Sequence, residues 1–215
     1  MKRLKIAICI TSFNAEKYII ECVDSFKRQV VPKSWEIVFY IGVDFCEKTA
    51  RILEKNKIPY FWSNRNVGTY ILTNSLLKEA KNDGCDIFLR FDSDDIASRG
   101  FLIDGIGNAI NTGFSSCFAR DFSEEGDRRI FKDFSRYGVG QVFFTRDVLD
   151  KLGGYHEYRV ACDSYFVKRA ERLGIVDKSP KIRPVFLRRN VKGSLSRSKK
   201  TGMGLVAVKN SGHYG

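Results

Sequence analysis

The sequence predicts an α/β fold in a single domain, with a mostly parallel central sheet flanked by helices. Strand-like apolar runs alternate with stretches of helical periodicity through the first half of the chain, the signature of successive β-α-β units. The first run, Ile6 to Ile10, is apolar at nearly every position, as expected of a strand covered on both faces. Polar clusters recur where the runs stop, at the carboxyl edge where open α/β sheets bind their ligands. A length of 215 residues fits one domain with a sizeable core.

The elements follow in order. After Ile6 to Ile10, Asn14 stands where it can cap a helix whose Tyr18, Ile19, Cys22, Val23 and Phe26 share one face. Glu36 to Val43 forms the second strand and leads to a helix from about Cys46 to Asn56. A short strand at Tyr60 to Trp62 precedes a helix near Thr69 to Lys81, and Asp86 to Phe91 runs directly into the acidic turn Asp92-Ser93-Asp94-Asp95. The second half is less regular, with strands at Ser115 to Ala119 and Gly140 to Thr145. Helices are expected near Asp147 to Leu152 and from Asp163 to Leu173. From Lys178 the chain is basic, and residues 201–215 read as a flexible tail rich in glycine and small residues.

Composition narrows the function classes. Hydrophobic residues at 43% and charged residues at 29% describe a globular chain, neither disordered nor fibrous. Met1-Lys2-Arg3-Leu4-Lys5 before an apolar run resembles a secretory leader, but the run is short and Thr11, Ser12 and Asn14 follow at once, so a buried strand is the better reading. No stretch approaches the roughly 20 apolar residues of a membrane span. The six cysteines are scattered without the close pairs of zinc or redox motifs, which favours reduced thiols and a cytoplasmic setting. Cys9 and Cys22 fall at core positions. A net charge of +12 points to an anionic partner.

Three carboxylates in one tight turn repel one another unless a cation offsets them, and hard oxygen ligands suit Mg²⁺ or Mn²⁺. The same residues also serve as ordinary turn and cap formers. The company of this turn decides between the two. Ile8-Cys9-Ile10-Thr11-Ser12-Phe13-Asn14, Asp44, Asn66-Val67-Gly68 with Asn74, Asp92-Ser93-Asp94-Asp95, and Leu152-Gly153-Gly154-Tyr155-His156-Glu157 with Cys162-Asp163 occur in an order that resembles family 2 glycosyltransferases of the GT-A, Rossmann-like fold. The likeness runs from Ile6 to about Arg197.

That resemblance implies a nucleotide-sugar-binding half over residues 1–97 and an acceptor-binding half over residues 98–200. It implies an inverting transfer from a nucleotide-sugar, most often a UDP-sugar, to an acceptor hydroxyl. Thr11, Phe13, Asn14, Asp44, Asn66, Gly68, Arg90, Asp92 and Ser93 become the expected nucleotide-sugar contacts, with Arg90 approaching the sugar or a phosphate, or pairing with a carboxylate. Asp92 and Asp94 become the expected metal ligands. Asp163 inherits the role of catalytic base, and its place at a helix amino end favours the charged carboxylate and also suits a cap. His156 is a second candidate base and His213, in the tail, a weaker one. The family's Glu-Asp pair appears here as Cys162-Asp163, and its late Arg-x-His segment as Arg188-Arg189-Asn190, which makes Asn190 the candidate third metal ligand.

The positive charge bears on the acceptor. Arg128-Arg129-Ile130-Phe131-Lys132-Asp133-Phe134-Ser135-Arg136-Tyr137 interleaves cations with aromatics, a mixture that binds phosphates and stacks on bases. Further cations follow at Lys178, Lys181, Arg183, Arg188, Arg189, Lys192, Arg197, Lys199 and Lys200. One reading is transfer to a hydroxymethylated base of duplex DNA, as in a phage genome, with the base flipped toward Asp163. A second is synthesis of a cell-surface or lipid-linked glycan, with the cations on anionic lipid. The balance leans slightly to DNA. A third reading, of another class, is a non-catalytic nucleic-acid-binding protein on the same fold.

Overall fold

The computed structural model describes residues 3–158, 162–175 and 183–190, and for 133–139 the backbone alone. Four parallel strands come first. They are β1 (Leu4–Ser12), β2 (Trp35–Asp44), β3 (Phe61–Ser63) and β4 (Ile87–Asp92), arranged β3-β2-β1-β4. Helices α1 (Ile19–Lys27), α2 (Glu47–Lys55) and α3 (Thr69–Asn82) connect them. The continuous apolar run of β1 follows from this central position. Ile6, Ile8 and Ile10 face a core shared with α1 and α2, whereas Ala7 and Cys9 face a second core with α3.

The second half adds α4 (Phe101–Thr112), the long hairpin β6 (Phe114–Glu125) and β7 (Arg128–Thr145), α5 (Arg146–Leu152), α6 (Cys162–Arg172) and β8 (Val185–Arg189), with the two-residue β5 (Ile96–Ala97) following the acidic turn. It extends the sheet as β4-β7-β6-β8-β5, antiparallel except for the β6-β8 pair. The mixed half of the sheet bends around the turn that follows β4. Arg90 lies opposite Val142, so the next β7 residues, Gln141 and Gly140, stand beside Asp92. Phe122 lies opposite Arg189, which brings the end of β8 under the same turn from far along the chain.

Most expected elements are present, with shifted ends. The first helix is a correction: it begins at Ile19 with Tyr18 at the cap position, while Asn14 sits in left-handed backbone at φ 52°. Asn14 therefore belongs to the strand-end turn. The strand expected at Gly140 begins at Arg128, so the basic-aromatic segment is part of a hairpin. Helix α4 and strand β8 were not anticipated. All six cysteines are buried and free. No helix among the described residues is long and apolar enough to cross a membrane. Residues 201–215, His213 and the cations Lys178, Lys181, Lys192, Arg197, Lys199 and Lys200 lie outside the described residues.

Candidate active site

The carboxyl ends of β1, β2 and β3 border an open pocket lined by Phe13, Asn14, Phe45, Cys46, Glu47, Lys48 and Asn66. Phe13 is 53% exposed, so it is a wall and not core packing. Thr11, at the end of β1, is buried with an Oγ1 that has no hydrogen-bond partner. Phe45 is the addition that sequence reasoning missed. It is 56% exposed, adopts φ 50°, and its ring lies 5.9 Å from that of Trp62. Positive φ in a bulky non-glycine residue is uncommon and clusters at functional sites.

Asp44, expected at the nucleoside, holds a neighbouring loop. It is buried, and its two carboxylate oxygens accept the backbone N–H groups of Val67 at 2.8 Å and Gly68 at 2.9 Å. It thereby fixes the loop that delivers Asn66 to the pocket and starts α3. Gly68 holds φ 88° at the cap position, a backbone that glycine adopts without penalty. Asn74, grouped by sequence with this loop, instead points along α3 to the Gly-Gly-Tyr turn, where its side-chain amide pairs with Tyr155.

At the end of β4 the acidic turn is held from three sides. The buried Arg90 guanidinium donates to Asp92 Oδ1 at 2.5 Å and Oδ2 at 3.0 Å, and also to Gly140 O and Gln141 Oε1. Arg90 therefore pairs with a carboxylate. Burial opposes its charge, but Asp92 together with Tyr70, Tyr155 and Asp163 more than offsets that, and the guanidinium stays protonated. Gln141, itself buried, donates from Nε2 to Asp92 Oδ2 at 3.1 Å and to Asp95 Oδ2 at 2.5 Å. From the third side Arg189 donates its backbone N–H to Asp95 Oδ1 at 3.0 Å and its Nε to the Asp94 carbonyl at 2.9 Å. Its remaining nitrogens bind Glu21 and Glu124, and its guanidinium lies over the rings of Tyr18 and Phe122. Ser93 is buried within the turn.

This arrangement separates the roles of the carboxylates. Asp92 and Asp95 have both oxygens engaged. Burial and the nearby Asp92 raise the Asp94 carboxyl to about 6. Asp95 is raised well above the usual range by burial, then by Asp94 and Asp92. Such a turn is short of positive charge despite Arg90 and Arg189. Immediately after Arg189, the Asn190 Oδ1 is buried with no hydrogen-bond partner, and the Asn190 N–H donates to Phe122 O at 2.8 Å. An orphaned amide oxygen and a carboxylate raised above its usual range are oxygen donors of the kind that suits a hard divalent cation. Among the described residues, no group of three or more His, Cys, Asp or Glu is arranged to hold a metal. Asp94 and Asn190 would accordingly be the principal protein ligands, with Asp92 largely committed to Arg90.

Asp163, in the first turn of α6, joins this group across the sheet. A Cβ built on Gly140 would lie 2.9 Å from Arg90 Nη1, 3.5 Å from Asp92 Oδ2 and 3.6 Å from Asp163 Oδ2. The two carboxylates therefore flank one small space that only a glycine leaves open. Asp163 Oδ1 also accepts the Ser164 N–H at 2.7 Å, so the residue orients itself as it begins the helix. His156 is half-buried with its ring near those of Tyr158 and Tyr165. Sequence reasoning did not single out Gln141, Glu21 or Glu124. A polar Gln before the apolar Val142-Phe143-Phe144 run was the one available signal for the first.

Comparison with solved structures finds the same fold in other proteins. The chain superposes on Staphylococcus aureus TarS residues 1–349 in complex with UDP-GlcNAc with a TM-score of 0.63 at 18% identity, covering 91% of this chain and 61% of that one. For the same TarS fragment with UDP the TM-score is 0.61 at 20% identity, with coverages of 87% and 61%. The mannosyltransferase PcManGT from Pyrobaculum calidifontis, in complex with GDP-Man and Mn²⁺, gives 0.63 at 16% identity, with coverages of 85% and 56%. The chain thus spans about three fifths of the length of these proteins. No curated protein matches it by sequence. The model of glycosyl transferase family 2 matches residues 7–173, and the chain belongs to that family.

Proposed function

We propose that this glycosyltransferase is an inverting enzyme that moves a sugar from a UDP-sugar to a hydroxyl of an anionic acceptor, with a hydroxymethylated base of duplex DNA as the acceptor. The observation that carries the transfer reading is the convergence of Asp163 and Asp92 on the space over Gly140. In this reading Phe13, Asn14 and Asn66 line the nucleobase pocket, and Thr11 Oγ1 supplies a hydrogen bond that it lacks within the protein. UDP and UDP-GlcNAc in the TarS complexes support the choice of donor.

A divalent cation such as Mn²⁺ or Mg²⁺, held by Asp94 and Asn190 with Asp92 behind them, would offset charge on the leaving diphosphate. Arg90 and Gln141 keep Asp92 oriented and take no proton. The Asp163 carboxylate takes the proton of the acceptor hydroxyl as that oxygen attacks the sugar carbon from the face opposite the diphosphate.

The test offers the protein, with Mn²⁺ and a panel of UDP-sugars, duplex DNA containing hydroxymethylpyrimidine or a lipid-linked glycan. UDP release and acceptor mass are followed together. A hexose-sized gain on the nucleoside that disappears in Asp163→Asn supports DNA glycosylation. A gain on the glycan alone replaces the DNA acceptor with a surface glycan. DNA binding unchanged in Asp94→Ala, with no turnover of any donor, would leave a nucleic-acid-binding protein.

A further inference from the structure

Helix α3 joins the donor pocket to the helix that carries Asp163, and the joint is a side-chain amide acting as a piece of backbone. Asn74 Nδ2 donates to the Tyr155 carbonyl at 2.9 Å, and Asn74 Oδ1 accepts the Tyr155 N–H at 2.8 Å. A two-point pair of this kind is the bond pattern of an antiparallel ladder, made here by one residue of a helix to a turn. The turn is shaped for it. Gly154 adopts φ 90°, and a Cβ there would stand 2.7 Å from Asn74 Oδ1, so the glycine is required by the clamp as well as by its backbone. On its other side the turn is gripped by Arg169 of α6, which donates to Leu152 O at 2.8 Å and to Gly154 O.

The same two helices meet through rings. Tyr155 is buried and stacks on Tyr70 of α3, at 5.7 Å and 27°, and on Phe166 of α6, at 4.3 Å and 17°. Tyr70 lies one turn before Asn74 and Phe166 one turn after Asp163. The Tyr70 hydroxyl also lies close to the backbone of Asp163. At the opposite end of α3, Asp44 holds Val67 and Gly68. One element therefore runs from the nucleotide loop, through the Tyr155 turn, to the helix that carries the carboxylate facing Asp92.

We infer that Asn74 is a positioning residue for glycosyl transfer: through Tyr155 it holds α6 so that the Asp163 carboxylate stands over Gly140, while it makes no contact with the donor pocket. The inference rests on the transfer reading above. A displacement of about 1 Å at the reacting groups can cost on the order of 100-fold in rate, without any loss of ground-state binding elsewhere.

The experiment compares wild type, Asn74→Ala and Tyr70→Phe for UDP affinity by calorimetry, and for transfer and UDP-sugar hydrolysis in single turnovers. The expected result for Asn74→Ala is a UDP affinity within about twofold of wild type and a transfer rate lower by about 10- to 100-fold. Water should compete better with the acceptor, so the ratio of hydrolysis to transfer should rise. Tyr70→Phe removes one oxygen and conserves the stack; it should lower transfer by about 10-fold with UDP binding intact. Transfer at the wild-type rate in Asn74→Ala overturns the inference, as does a parallel loss of UDP affinity and rate. Should Asn74→Ala fail to fold, Asn74→Asp, which keeps the acceptor for the Tyr155 N–H and loses the donor to its carbonyl, takes its place, and wild-type transfer by that variant overturns the inference. A wild-type protein that binds UDP yet turns over no donor sinks the transfer reading first, and that outcome is distinct from a turnover that merely ignores Asn74.

Discussion

At the scale of single residues, the acidic turn is an exercise in placing negative charge where it is least welcome. Arg90 is the main compensation for Asp92; the guanidinium is buried, whereas the Asp92 side chain is 35% exposed. Removing one partner of a fully buried pair costs about 3 to 5 kcal/mol, and water reaching Asp92 makes the cost here smaller. Arg90→Met should therefore lower the melting temperature and abolish transfer, whereas Arg90→Met combined with Asp92→Leu should recover much of the stability and none of the activity. Calorimetric melting of both variants checks this. Asp94 gives a second prediction, on pH. Its carboxyl is raised to about 6 by burial and by Asp92, above its ordinary value, so without metal the stability it contributes is greatest at low pH and is lost as the pH rises through about 6. A cation competes with that proton. Mn²⁺ affinity should be level above about pH 7 and fall about tenfold per unit below about pH 6. Titration with Mn²⁺ at pH 5 and pH 7.5 reads it, and a flat profile would remove Asp94 from the ligand set.

At the scale of elements, the Gly153-Gly154-Tyr155 turn couples α3, α5 and α6. Gly154→Ala combines a left-handed backbone with a Cβ 2.7 Å from Asn74 Oδ1, and should cost about 1 to 3 kcal/mol in chemical denaturation. A neutral result would mean that the turn yields easily and that the clamp carries little. What the sequence made legible follows from how local each signal was. The β1 run, the α3 periodicity and the acidic turn after β4 are consecutive residues, and each stands close to where it was expected. Helix α4 was opaque because Phe101-Leu102-Ile103-Asp104-Gly105-Ile106-Gly107 carries two glycines, which argue against a helix by propensity. Packing of Phe101, Leu102 and Ile106 overrides them. The Asn14 cap failed because the turn that exposes Asn14 and Phe13 takes the residues a helix start would have used. Asn74 and Asp44 were recognised, but their bonds to Tyr155 and to Val67 and Gly68 were not, because a motif names residues and not the direction of their side chains. Arg189 and Gln141 reach the acidic turn only through the β4-β7 and β6-β8 registers, which no local pattern encodes.

At the scale of the whole molecule, a net charge of +12 bears on what approaches the site. Several cations are already committed inside the protein: Arg90 to Asp92, Arg188 to Asp121, and Arg189 to Glu21 and Glu124. These hold the fold and offer nothing to a partner. The β6-β7 hairpin differs. Arg128 and Lys132 are exposed at its outer end, and Ile130 and Phe131 between them are each 43% exposed. Cations alternating with open apolar surface suit a polyanion that also presents flat faces, which a nucleic acid does and a phosphate alone does not. The consequence is measurable as a salt slope. For duplex DNA, log affinity falls with log salt by about 0.9 per phosphate neutralised, so four or five contacts give a slope of about −4. Arg128→Glu with Lys132→Glu should shallow that slope by about 2 and leave UDP affinity unchanged, since the pocket lined by Phe13, Phe45 and Asn66 lies on the other side of the acidic turn from the hairpin. If the double variant keeps the wild-type slope, the anionic partner sits elsewhere on the surface. If wild-type binding to DNA shows no slope at all, the charge of this protein serves a different acceptor and the DNA assignment falls with it.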